Sequence, residues 1–175
     1  MGERPMQVQL RSFCLADVDD FYEWASDEEV TRFMTWEPFK SKQQAREYLA
    51  NVVIPHPWFK AICIQGSNKA IGHIMLKQGN GMNSCRAEMG YAISRKYWKN
   101  GVTTQAVITA LKIGLKELHG ITRIEALVLP ENVASARVLE KAGFIKEGLL
   151  RNYVYLKGSL RDCFLFSFVV ASPAH

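Results

Sequence analysis

The sequence predicts one α/β domain built on a mixed β-sheet, and three observations carry that prediction. A strand, a helix and a second strand follow one another between Arg86 and Leu129, as in a parallel crossover. Two hairpin signals, Gly66-Ser-Asn-Lys69 and Lys157-Gly158-Ser159, call for antiparallel pairs in the same sheet. No linker, repeat or low-complexity stretch divides the 175 residues, a length that can bury a core without staples.

Taken in order, Met6–Phe13 alternates apolar and polar residues as a first strand does. Ala16–Ala25 carries Val18, Phe21, Tyr22 and Ala25 at helical spacing, with Asp17 near its start. Ser26-Asp-Glu-Glu29 is expected to break that helix, and Val30–Phe39 to be an aromatic-rich connection. Ser41-Lys-Gln-Gln44 has the form of a capping box and opens a second helix to about Val53, which Pro55-His-Pro57 ends. Trp58–Gln65 and Ala70–Lys77 are strand-like, and Gln78–Ser84 is a loop. The stretch from Arg86 then reads as a strand, a polar turn and a helix over Thr104–Leu118. Val107, Ala110, Leu111, Gly114, Leu115 and Leu118 form one apolar stripe on that helix. Ile121–Leu129 is the second crossover strand. Asn132 is a plausible N-cap for a helix to Lys141, which Ala142-Gly143 stops. Phe144–Leu156 and Asp162–Val170 read as two final strands.

Hydrophobic content of 48% and a net charge of +5 describe an ordinary globular chain. The basic residues are dispersed among 17 acidic ones and never form a run, which argues against nucleic acid. A solvated surface and a small polyanionic ligand such as a nucleotide cofactor both fit, and composition does not choose between them. No apolar stretch suits a membrane span, and the Met-Gly-Glu-Arg-Pro start lacks the apolar block of a signal peptide. Gly2 suggests myristoylation, but Met6 stands where Ser or Thr is needed. The expected location is therefore the cytoplasm, with the nucleus open to diffusion. Cys14, Cys63, Cys85 and Cys163 are far apart and expected to be reduced, half-buried apolar residues. The four histidines, His175 at the end among them, show no ligand spacing, so no metal is expected.

Two segments carry chemistry. In the first, alternation puts Glu88, Gly90, Ala92 and Ser94 on one face of a strand and Ala87, Met89, Tyr91 and Ile93 on the other. A carboxylate beside very small residues fills a core poorly and suits a slot with an acid or base at one end. The turn Trp98-Lys-Asn-Gly-Val-Thr-Thr104 follows, where backbone amides at a helix start could cradle phosphates and Gly101 allows close backbone approach. An ordinary turn containing one glycine accounts for the same residues, and neither a dinucleotide fingerprint nor a Walker loop is present. The second segment is Asn132-Val-Ala-Ser135 through Gly143-Phe144: a well-capped helix, set where open sheets place ligands.

Together, Glu88 in Ala-Glu-Met-Gly-Tyr, the run Tyr97–Ala106, and Asn132…Ser135…Gly143-Phe144 resemble the GNAT superfamily of acyl-CoA N-acyltransferases. Leu10-Arg11, Asp27-Glu-Glu-Val-Thr-Arg-Phe33 and Glu147-Gly-Leu-Leu-Arg151 are similar to the branch containing the ribosomal-protein alanine N-acetyltransferases. The resemblance spans Val8 to Val169. It implies a single domain over residues 1–175, with a mixed, mostly antiparallel sheet, a central splayed parallel pair and flanking helices. It also implies acetyl-CoA as co-substrate, without a metal. Its pantetheine would pair with backbone at Ala92, Ile93 and Ser94. Its pyrophosphate would rest on amides of Lys99, Asn100, Gly101, Val102, Thr103 and Thr104, with Asn132 also on the cofactor. This chain departs from the family's phosphate signature at Trp98 and Thr103.

The implied reaction is direct attack of a primary amine, on a protein N-terminus or a small molecule, with Glu88 as general base. The competing account of Glu88 is a structural ion pair with Arg86 or Arg123. Many family members carry a Tyr seven residues after the Asn; here that residue is Leu139, and Ser135 matches the donor of the resembled branch. Bacterial members of that branch carry a Glu near Tyr153–Tyr155, where this chain has Val154. Phe33, Trp36, Tyr153 and Tyr155 either line the acceptor side or pack in the core. A monomer or a homodimer would serve. The alternative function is a catalytically silent acyl-CoA-binding or regulatory module on the same fold.

Overall fold

The computed structural model describes residues 6–170, so Gly2 and His175 lie outside the described residues. Among the described residues seven strands form one sheet: β1 Val8–Ser12, β2 Phe59–Ile64, β3 Gly72–Gln78, β4 Arg86–Ile93, β5 Arg123–Val128, β6 Ile145–Leu156 and β7 Ser159–Val169. The helices are α1 Val18–Ala25, α2 Glu28–Thr31, α3 Lys42–Tyr48, α4 Val102–Glu117 and α5 Val133–Lys141. The strand order is β1-β2-β3-β4-β5-β7-β6. Pairs β1/β2, β2/β3, β5/β7 and β6/β7 are antiparallel. The β3–β4 connection is antiparallel too, since Gly79 N donates to Arg86 O and Ser94 N to Ile71 O. β4 and β5 are parallel, paired over Arg86–Glu88 and Arg123–Glu125, and both strands run on past that pairing. The mixed sheet that hairpins plus a crossover required is thus present.

The described residues divide into two compact units, one comprising 6–75 with Tyr91–Ala110, the other Leu76–Gly90 with 111–170. The first unit has an aromatic core. Phe21 is 1% exposed and lies 4.9 Å from Trp24 in an edge-on contact, with Phe13, Phe39, Tyr48 and Phe59 packed around them. Asp17 receives a bidentate grip from Arg11 at 2.7 and 2.8 Å, which holds its carboxyl below the usual range against the cost of burial. In the second unit Ile124, Ala126 and Val128 form the buried face of β5, while Leu139 and Phe144 bury the exit of α5. Lys157 and Gly158, both at positive φ, make the tight turn between β6 and β7.

Three elements differ from the sequence reading. Ser26–Glu29 does not simply break a helix: Asp27 accepts from Glu29 N at 2.9 Å and caps α2. An Asp before two glutamates is a start signal as well as a stop, and here the start prevails. α3 is capped as expected, with Ser41 Oγ accepting from Gln44 N, but Gln44 reaches back to the amide of Lys40 rather than Ser41. α4 begins at Val102, two residues early. Of the cysteines, Cys63 and Cys163 are buried whereas Cys14 and Cys85 are exposed. Among the described residues no helix is long and apolar enough to cross a membrane.

Candidate active site

The first unit carries the turn Trp98–Thr104 that the sequence reading singled out. Tyr97 N and Trp98 N return to Ser94 O and Arg95 O in a 3-10 turn, and Trp98 Nε1 donates to Ile93 O at 3.0 Å. The departure at Trp98 thus has a structural use: the indole ties the loop to the end of β4. Lys99 and Gly101 then take φ of 63° and 75°. Gln105 N closes on Gly101 O at 3.1 Å as the first bond of α4. The amides of Val102, Thr103 and Thr104 precede that bond and have no intrahelical acceptor. A Cβ placed on Gly101 would meet nothing within 4 Å, so the position needs glycine for its φ, and the space over it is open. Open space at this position leaves room for a ligand to approach the backbone, as the sequence reading of Gly101 expects. Lys99, Asn100 and Gly101 are exposed and Thr103 and Thr104 half-buried.

Ala92 and Ser94 are buried at 7% and 8% exposure. The Ser94 amide is committed to Ile71 O, and the Ile93 carbonyl to Trp98. By strand alternation the Ile93 N–H points away from β3, which leaves it the better placed of the three expected residues for an outside acceptor. Sequence reasoning missed Gly72. A Cβ there would lie 2.4 Å from Ala92 O, so only glycine permits this approach of β3 to β4. A glycine inside a strand-like run was the available signal. His73 beside it was missed as well. It is 3% exposed, stacked on Phe59 at 4.7 Å and Trp24 at 5.6 Å, and its Nδ1 has no hydrogen-bond partner among the described residues. Burial pushes its pKa down to about 3.

The second unit carries Glu88, Asn132 and Ser135. Asn132 caps α5 as expected, its Oδ1 accepting from Ser135 N at 3.2 Å. Ser135 is half-buried, and Leu139 is fully buried in the core. Glu88 is exposed, on the face opposite the buried Ala87 and Met89. Its carboxylate makes no hydrogen bond or ion pair among the described residues. The two arginines that could have held it are engaged elsewhere. Arg86 Nη1 donates to Glu125 at 2.5 Å and Arg123 Nε to the same carboxylate at 2.6 Å. Arg123 also grips Glu147 through both Nη atoms at 2.7 and 2.6 Å, and Ser167 Oγ donates to Glu147 at 2.6 Å. The Arg123 guanidinium, with Ser167, holds the Glu147 carboxyl down at about 2. Burial, with the charges of Asp162 and Glu88 adding to it, pushes the Cys163 thiol up.

Of the aromatic residues, Trp36 is packed against the first unit's core and donates to Ala25 O, while Phe33 lies half-buried under Arg32. Tyr153 and Tyr155 are 54% and 73% exposed, so core packing does not describe them.

A family model described as an acetyltransferase (GNAT) domain matches residues 7–145. The uncharacterized N-acetyltransferase p20 of Bacillus licheniformis is 36% identical over 168 residues, 92% of each chain. The crystal structure of a GNAT-family acetyltransferase from Bacillus anthracis matches with a TM-score of 0.82 at 25% identity, covering 95% of this chain and 96% of that one. A ribosomal L7/L12 alpha-N-protein acetyltransferase solved with coenzyme A shares the fold, with a TM-score of 0.79 at 19% identity and 94% of each chain covered.

Proposed function

Because the chain belongs to the GNAT acetyltransferase family, we propose that it transfers the acetyl group of acetyl-CoA to a primary amine, on a protein N-terminus or a small molecule. The chain is an acetyltransferase; the donor, the acceptor class and the residue roles are the proposal, as is the reading of residues 1–175 as one such domain working in the cytoplasm. The observation that carries it is the turn Lys99–Thr104, where Lys99 and Gly101 at positive φ precede three amides without an intrahelical acceptor at a helix start, with open space over Gly101. Such amides and the helix dipole suit a pyrophosphate. Ala92, Ile93 and Ser94 would meet the pantetheine, chiefly through the Ile93 amide, and Asn132 would serve the cofactor from the start of α5.

In the reaction the amine nitrogen attacks the thioester carbonyl carbon, the C–N bond forms and the C–S bond breaks. The amine's proton goes to Glu88, directly or through water, and the departing thiolate takes a hydrogen bond from the Ser135 hydroxyl. An α-amino group, with a reference pKa of about 7.7–8.0, loses its proton more readily than a lysine at about 10.4, so an exposed carboxylate is better matched to the former. Much of the rate would come from alignment of amine and thioester.

A catalytically silent acyl-CoA-binding module is the competing reading. One observation favours it: Leu139, where many family members carry a Tyr, is wholly buried. Release of free thiol from acetyl-CoA, measured with N-terminal peptides, polyamines and aminoglycosides, separates the two. The proposal expects release that depends on at least one amine; tight CoA binding without any acceptor-dependent release would favour the silent module.

A further inference from the structure

Two glutamates occupy matching positions in the parallel pair. Glu88 of β4 and Glu125 of β5 are register partners, so their side chains leave the same face of the sheet. Arg86 and Arg123 are partners one step earlier on that face. Four charges in a two-by-two array could pair along the strands or across them. They do neither symmetrically. Arg86 crosses to Glu125, and Arg123 stays beside Glu125 along its own strand, so both guanidiniums converge on one carboxylate. Arg123 extends the chain to Glu147 of β6, which Ser167 of β7 completes.

We propose that Glu125 is a positioning residue that keeps Glu88 unpaired: by drawing off both neighbouring arginines, it leaves the Glu88 carboxylate available to accept a proton from the amine. The inference rests on the assignment of Glu88 as base. Arg86 is the decisive partner, because it sits two residues from Glu88 on the same strand face. Its side chain is 38% exposed and can swing, whereas Glu147 also holds Arg123 by two bonds. The array Arg86, Glu125, Arg123 and Glu147 carries no net charge, so it adds little field of its own at Glu88. The other charged or titratable groups facing Glu88 are few. Counting two residues from the Gly79–Arg86 bond sets Lys77 of β3 opposite Glu88, and no ion pair joins them among the described residues. Cys163 of β7 shares the face and is held as the neutral thiol by burial. An acid held by an arginine is a poor base, since the guanidinium favours the charged form. Removing Glu125 should therefore weaken the base without touching it.

The test is Glu125→Gln, read in two ways on the full-length protein. The first readout needs no turnover: the side-chain carboxyl resonance of Glu88, assigned by its disappearance in Glu88→Gln, is titrated by carbon NMR. In Glu125→Gln it should titrate lower by about half a pH unit or more. The second readout is the acid limb of kcat/KM, which should move the same way. The double variant Glu125→Gln/Arg86→Gln should return both to their wild-type positions. An unmoved Glu88 titration in Glu125→Gln, or a shift that survives the Arg86 substitution, overturns the proposal. If the NMR shift appears but the acid limb persists in Glu88→Gln, the network is right and the base assignment is wrong, so the two failures are distinct. Should Glu125→Gln fold poorly, Arg86→Gln alone in the folded protein gives the converse result, a Glu88 titration at or above wild type; a lower one overturns the proposal.

Discussion

Glu88 and Glu125 face each other across the parallel strands β4 and β5, yet two arginines bind Glu125 and none binds Glu88. That asymmetry bears on one of the two accounts of Glu88 that the sequence left open, the ion pair. Arg86 and Arg123 do form structural ion pairs, as alternating charges on adjacent strands should. Their partners are Glu125 and Glu147, so the ion-pair account of Glu88 fails on this geometry.

Gly101 holds a φ of 75° with open space where a Cβ would go. Gly101→Ala therefore meets no clash and only backbone strain, about 1–2 kcal/mol. We expect thermal stability to fall by about that much and CoA affinity to weaken several-fold by calorimetry. Gly101→Asn, which tolerates the left-handed region, should keep more of both.

Asn132 contributes one capping hydrogen bond to a nine-residue helix. Asn132→Ala should cost about 1 kcal/mol in urea denaturation. Asn132→Asp, which keeps the acceptor oxygen, should recover most of that loss.

His73 is buried neutral, its pKa lowered from 6.5 to about 3. Between those values the unfolded chain binds a proton that the folded chain does not, so stability is present above pH 6.5 and is lost as pH falls towards 3. At pH 5 this one group removes about 2 kcal/mol relative to neutral pH. Denaturant titrations at pH 7 and pH 5 should show it. His73→Phe or His73→Gln should narrow the gap between the two pH values, whatever either does to stability at pH 7.

The elements most legible in the sequence were those with a local signal. Ser41 and Asn132 were readable as caps, Gly66–Lys69 as a hairpin, and Val107–Leu118 as a helix face, because each depends on residues within a turn or two. The crossover gave the parallel pair, since a helix between two strands leaves few alternatives. Long-range facts were not legible. Arg86 finds Glu125 39 positions away, and the sequence held no reason to prefer that carboxylate over Glu88. Nothing local in Ala70–Lys77 explains Gly72, whose need for glycine comes from Ala92 O on the neighbouring strand. Tyr153 and Tyr155 alternate as core residues would, but β6 lies at the sheet edge with its register broken between Leu150 and Val154, and both are exposed. Periodicity reports a face, and only the tertiary fold says what covers it.

The measurement that tests the account most directly compares wild type and Glu88→Gln side by side, in acceptor-dependent thiol release across pH and in CoA binding. Glu88 is exposed and unpaired among the described residues, so the substitution should leave stability within about 0.5 kcal/mol. Turnover should fall by about 100-fold or more, with the acid limb lost and CoA affinity unchanged. Turnover equal to wild type at every pH would contradict the account and remove Glu88 from the chemistry.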